Sequence, residues 1–239
     1  MYYFANNAAG CETPEGAIFL DFRTGKYLGT PADHLGAFRQ CISEWPVSPN
    51  APQAISVPLS AADTSILVEL WRKRLLTRSP PESPALRPKD VPAPTETLPH
   101  EVHGTISVTF GLWMDITLIL SIAYIWANLK LNRLESIIRS IQSLRRGADP
   151  HRLAPEPVHL GTLVSRFRRV SLWLYSRRNE CLFDSLVLTR YLYWHGIAPT
   201  LVFGVSTKPF SAHAWVQVSN VMLVDSPETA LLTIPIFAA

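Results

Sequence analysis

A chain of 239 residues with 47% apolar content is long enough for one or two domains with buried cores. Its net charge of +3 creates no strong field, and its Lys and Arg residues fall in helix-like stretches, so nothing calls for nucleic acid. Cys11, Cys41 and Cys181 are odd in number and show no Cys-x-x-Cys spacing, which argues against a disulfide framework and a zinc site and predicts a reduced compartment.

The opening MYYFANNAAG has neither a basic n-region nor a long apolar run, so no secretion signal and a cytoplasmic location are expected. Strand-like pieces follow at Tyr2–Ala5, Ala17–Phe22 and Lys26–Thr30, the last two joined by a turn at Arg23-Thr24-Gly25. Thr30-Pro31-Ala32-Asp33 supplies a cap, a proline at the first helical position and an early acid, predicting a helix to about Glu44. Ser60 or Asp63 caps a second helical stretch with Ile66, Leu67, Leu70 and Trp71 at helical spacing. Strands then helices in so short a span predict a winged-helix-like α+β module over residues 1–78.

Ser79–His100 carries seven prolines in twenty-two residues and reads as a semi-rigid linker. Residues 101–239 form the second module. It opens with Ile106–Leu129, a stretch long enough to span a bilayer. Asp115 near its middle costs about 2.5–3.5 kcal/mol in lipid, so packing on the protein core is the favoured reading and membrane contact the lesser one. Leu131–Arg146 is a basic amphipathic helix ended by Gly147 and Pro150, and Val158–Tyr175 is a further helical stretch. Cys181–His195 makes a helix stopped by Gly196. Strands are predicted at Pro199–Val205 and in a hairpin, Ala212–Val218 with Val221–Asp225, turned at Ser219-Asn220.

Cys181 stands where its helix begins, after Arg177-Arg178-Asn179-Glu180, so backbone N–H groups and the positive dipole end face the sulfur and favour a thiolate. His195 lies about 21 Å along the same helix and is out of reach. His213, flanked by Ser211, Ala212 and Ala214, opens the hairpin, and Asp225 closes it. A two-residue turn would put His213 and Asp225 on opposite faces, because side chains alternate along a strand. A three-residue connection or a bulge would pair them, with Ala214, Val216, Val218, Met222 and Val224 on the core face. An odd connection is therefore expected, with Cys181 as nucleophile, His213 as base and Asp225 orienting the imidazole. Asp184 is the rival acid, and Asn179, Glu180 and the Cys181 amide are candidate oxyanion donors or substrate contacts, among which the spacing does not decide. No P-loop is present, and neither metal nor cofactor is expected.

The stretch CLFDSLVLTRYLYWHGIAPTLVFGVSTKPFSAHAWVQVSNVMLVDSPE resembles the B proteins of lasso-peptide biosynthesis, the microcin type of maturation protease. The likeness rests on the Cys at a helix start, the Leu-rich helix ending in Gly-Ile, the LVxGV strand, Pro-Phe, His-Ala-Trp-Val and the final acid; it is specific over residues 179–228 and weaker upstream. It implies a transglutaminase/papain-like cysteine protease domain with added N-terminal helices, fused to a leader-recognition module, in an α+β chain. It implies Cys181, His213 and Asp225 as the triad, a precursor leader peptide as substrate, and an asparagine-synthetase-like, ATP-using macrocyclase as partner. By the same analogy the leader adds a strand to the module's sheet and packs on its last helix, with Tyr27, Leu28, Leu67, Leu70, Trp71 and Arg74 as contacts. An acyl transferase of the same superfold and a non-catalytic peptide-binding adaptor are the alternatives.

Overall fold

The computed structural model describes residues 1–46, 58–80, 91–98, 108–147, 157–174 and 181–239. A short strand β1 (Tyr3–Phe4) precedes an antiparallel meander of β2 (Ala8–Thr13), β3 (Gly16–Asp21) and β4 (Lys26–Pro31). β2 has no counterpart among the predicted strands; AAGCET offers no branched alternation, and only its pairing with β3 makes it extended. The β2–β3 turn needs Gly16, which takes φ 145° where a Cβ would meet the Thr30 carbonyl oxygen at 1.9 Å. The predicted turn between β3 and β4 forms, with Gly25 at φ 66° and the Thr24 and Gly25 N–H groups donating to the Asp21 carbonyl.

A 3-10 turn at Ala32–His34 leads into α1 (Leu35–Cys41). The helix stops short of Glu44 because Ile42 turns extended and the backbone on either side bonds to Tyr2. α2 (Ala61–Arg72) starts at Ser60, whose hydroxyl accepts from the Asp63 N–H while the Asp63 carboxylate accepts from the Ser60 N–H. It ends with Arg74 at φ 60°, the Leu75 N–H donating to the Leu70 carbonyl and the Arg74 N–H to that of Trp71. β5 (Leu76–Thr77) then pairs with β1.

The proline-rich segment is only partly a linker. Residues 81–90 and 99–100 lie outside the described residues, as does 47–57. Residues 91–98 join the C-terminal sheet instead, through β6 (Glu96–Thr97). Prolines permit this because an extended edge strand needs few donors.

α3 (Val108–Lys130), α4 (Leu134–Gly147), α5 (Pro157–Leu174) and α6 (Cys181–Trp194) follow. α4 buries Leu134, Ile137, Ile138 and Ile141, a helical stripe. α6 ends as predicted, with Gly196 at φ 73° and the Ile197 N–H on the Leu192 carbonyl. Gly111–Lys130 of α3 is long and apolar enough to cross a membrane by length and composition. One side of α3 packs on α6 through Met114, Leu118 and Ile125 with buried Thr117 and Ser121; Leu112, Trp113, Ile116, Ile119, Leu120 and Trp126 are exposed. Asp115 is accommodated by a two-pronged ion pair to Arg166 of α5.

The C-terminal sheet contains β7 (Thr200–Thr207), β8 (Phe210–Val218), β9 (Val221–Met222) and, after α7 (Pro227–Leu231), β10 (Ile234–Ala238), in the order β10-β7-β8-β9-β6. The hairpin connection is the two-residue one: Val218 pairs with Val221 and Gln217 with Met222, with Ser219 at φ 55°. The expected odd connection is overturned. The buried Gln217 side chain donates to the carbonyls of Ser219 and Pro92 and so holds the turn tight. Met222 consequently lies on the face of Trp215 and Gln217, while Leu223 joins Ala214 and Val216 in the main core.

Within the N-terminal meander, β2 and β3 have no solvent face. Ala8, Ala17 and Phe19 pack with Phe38, Trp45, Leu67 and Leu70, whereas Ala9, Cys11, Ile18, Leu20 and Phe22 belong to the same core as α6 and β7. Phe22 lies 4.7 Å from Phe237, ring centre to ring centre. Phe22→Ala should therefore destabilise the whole chain by about 3–5 kcal/mol. Urea unfolding should show one transition shifted to lower denaturant, not the loss of the N-terminal part alone.

Candidate active site

Cys181 is the first described residue of α6. One turn on, Ser185 donates its hydroxyl to the carbonyl of Ala214 in β8 at 2.9 Å. This tie brings the thiol to the imidazole of His213, with the N–H groups of Ala214 and Leu182 also directed at the sulfur. The hydrogen bond to His213 holds the Cys181 thiol below its ordinary value, against the opposing effect of burial.

On its far side His213 Nε2 lies 3.4 Å from Asp225 Oδ2, an ion pair rather than an aligned hydrogen bond. The Asp225 carboxylate first, and the thiol second, push the imidazole up to about 9 even though burial opposes the charge. Asp225, not Asp184, is therefore the carboxylate at His213. It arrives by a bend and not by strand pairing: β9 ends at Met222, Arg168 Nη2 holds the Leu223 carbonyl at 2.6 Å, and α7 begins after the Ser226 cap. Strict alternation forbade the meeting only for a strand that ran on to Asp225.

The imidazole stacks near Trp215, ring centres 6.2 Å apart and nearly parallel. Trp215 Nε1–H donates to Gln217 Oε1 at 2.8 Å, and Gln217 Nε2 donates to the Pro92 carbonyl, also at 2.8 Å. Gly204, opposite His213 in β7, leaves the room this needs, since a Cβ there would meet Trp215 at 2.8 Å and Thr233 Oγ1 at 2.5 Å. Sequence reasoning missed Ser185, Gly204 and the Gln217 network. Ser185 was within its reach, lying four residues from Cys181 on the same helix face; Arg168 gave no local signal at all. His195 is remote from the thiol, as expected, and bonds to Thr117 Oγ1 at 3.0 Å, with burial lowering it to about 4. Asn179 and Glu180 lie outside the described residues.

The expected leader contacts are divided. Leu67 and Leu70 are buried in the core beneath α2 and offer no surface to a ligand, a correction to the reading from helix spacing. Tyr27 and Leu28 point to opposite faces of β4: Leu28 toward α2, Tyr27 toward Phe210 of β8 at 5.5 Å. Trp71 and Arg74 remain accessible at the end of α2.

Residues 123–234 match the family described as the transglutaminase-like superfamily. The chain carries a transglutaminase-like domain. That superfamily includes cysteine proteases and acyltransferases, and the fold is typically catalytic. Neither the curated proteins nor the solved structures contain a match to this chain. The match begins within α3 and ends at β10, so it takes in Cys181, His213 and Asp225 and leaves out the N-terminal meander.

In the transglutaminase-like domain the thiolate and imidazolium coexist from the depressed range of the thiol up to about 9. Alkylation of Cys181 by iodoacetamide should stay fast at pH 6, whereas in His213→Ala it should fall about tenfold per unit below pH 8. Because the folded imidazole is raised, its pairing stabilises the fold fully below the ordinary imidazole value, ~6.5, and this contribution is lost as pH rises through about 9. Asp225→Asn, by weakening the imidazolium that holds the thiol down, should move the onset of slowed alkylation to higher pH, toward that of His213→Ala.

Proposed function

We propose that this chain is a cysteine peptidase that binds the leader of a ribosomally made lasso-peptide precursor in the cytoplasm and cuts it from the core. A macrocyclase resembling asparagine synthetase then receives the freed core. The observation that carries the peptidase reading is the single His213 imidazole, raised to about 9 between the Cys181 thiol and the Asp225 carboxylate. A thiolate so placed attacks the carbonyl carbon of the scissile bond, and the imidazolium gives its proton to the departing amine of the core. The leader is left as a thioester on Cys181. Water, deprotonated by His213, releases it as a free acid.

The N-terminal α+β unit supports a peptide substrate, read as the winged-helix-like leader-recognition module. β4 is an edge strand of its meander and offers unpaired backbone groups to an extended peptide. The same unit is tied to the domain beside the site: Glu15 pairs with Lys208 at 2.9 Å, and Tyr27, raised to about 12 by burial and then by the Cys181 charge, packs on Phe210.

Mass spectrometry of a candidate precursor incubated with the wild type, Cys181→Ala and His213→Ala tests this reading. Wild type should yield one leader ending in a free carboxylate, with both variants slower by about a thousandfold or more while still binding the peptide. A leader recovered joined to an added amine would make the chain an acyl transferase. Cleavage by Cys181→Ala at the wild-type rate would remove the thiol from the chemistry.

A further inference from the structure

The C-terminal end of α2, β1 and β5 enclose an open groove of about 530 Å³ lined by Ala5, Trp71, Arg72, Arg74, Leu76 and Thr77. Its wall is apolar on one side, and Trp71 keeps 43% of its surface exposed. Its other side is cationic. Arg72 and Arg74 point into it, and Arg78 stands at its rim with its guanidinium 5.4 Å from the Trp71 ring and 5.7 Å from that of Tyr2. None of the three forms an ion pair with a described residue, although Lys73 between them pairs with Glu69. Unpaired guanidiniums beside an exposed indole are fork-shaped donors left without a carboxylate.

Arg74 adds an independent observation. It occupies the left-handed position that closes α2, where glycine is favoured, at φ 60°. The Arg74 carbonyl is held by the Asn7 side chain at 3.2 Å, and the preceding carbonyl of Lys73 by Arg23 at 2.7 Å. The surrounding contacts thus hold a non-glycine residue in a costly conformation at the mouth of the groove, and such residues concentrate at ligand clamps.

We infer that this groove binds an acidic segment of peptide, a carboxylate side chain bridging Arg72 and Arg74 while an adjacent apolar residue lies on Trp71. The inference rests on the peptide-binding reading above and names the chemistry of one stretch of the leader. It uses a surface distinct from the edge of β4, so the two can hold different parts of one extended chain.

The test uses the full chain with Cys181→Ala, to prevent turnover, immobilised against a display library of random twelve-residue peptides. A parallel selection uses the same chain carrying Arg72→Gln and Arg74→Gly. The first pool should be enriched in Asp or Glu next to a Leu, Ile or aromatic residue. A selected peptide should bind about tenfold or more weakly once its acid is changed to the amide, and as weakly to the Arg variant. Arg74→Gly alone should raise Tm by about 2–4 °C while weakening binding, which separates the guanidinium from any role in holding the fold. An enriched pool without acids, unaffected by the Arg changes, would remove the groove from peptide recognition and leave that recognition standing. No enrichment on either chain would overturn both.

Discussion

The contact on which the site depends is the one between the start of α6 and the free edge of β8. β9 is only two residues long, so beyond Met222 the backbone of β8 has no strand on that side. The Ser185 hydroxyl satisfies the Ala214 carbonyl there, and the Ala214 N–H is left for the sulfur of Cys181. A longer β9 would consume both groups in ladder bonds and push the helix away. The shortness of one strand is thus a condition for the thiol and the imidazole to meet.

Behind the imidazole, a second set of contacts is fully buried and fully used. Gln217 has no exposed surface, accepts from Trp215 and donates to two carbonyls, one of them from the proline-rich segment. A buried amide is costly unless its donors and acceptor are engaged. Here that requirement locks the tight turn, the orientation of Trp215 beneath His213 and the course of residues 91–98 together. Gly204 contributes by what it lacks, leaving space for the indole.

The N-terminal meander is tied to the transglutaminase-like domain through its own alternation. Odd-numbered residues of β2 and even-numbered residues of β3 face the main core on the side of β10, and the remaining ones face α1 and α2. A meander whose first two strands are buried on both faces cannot behave as a bead on a string. Anything that binds beside β4 or α2 is mechanically continuous with the strands that bear His213. The ion pair of Asp115 with Arg166 likewise joins α3 to α5, so a carboxylate inside an apolar helix faces a partner.

By itself the sequence determined the local features. The end of α6 at Gly196, the place of the turn at Ser219-Asn220 and the cap at Ser60 follow from periodicity and capping, which act over a few residues. Where it erred, the cause was distant. The odd hairpin connection was inferred by assuming a strand up to Asp225, but Gln217, Pro92 and Arg168 decide where β9 stops and where the chain bends. Leu67 and Leu70 carry the same helical spacing whether they face a core or a ligand. Only the tertiary structure chose the core, because burial is a property of what packs against a face and not of the face's own residues. The same holds for β2, for β6, and for the groove at Trp71, Arg72 and Arg74, which exist through partners remote along the chain.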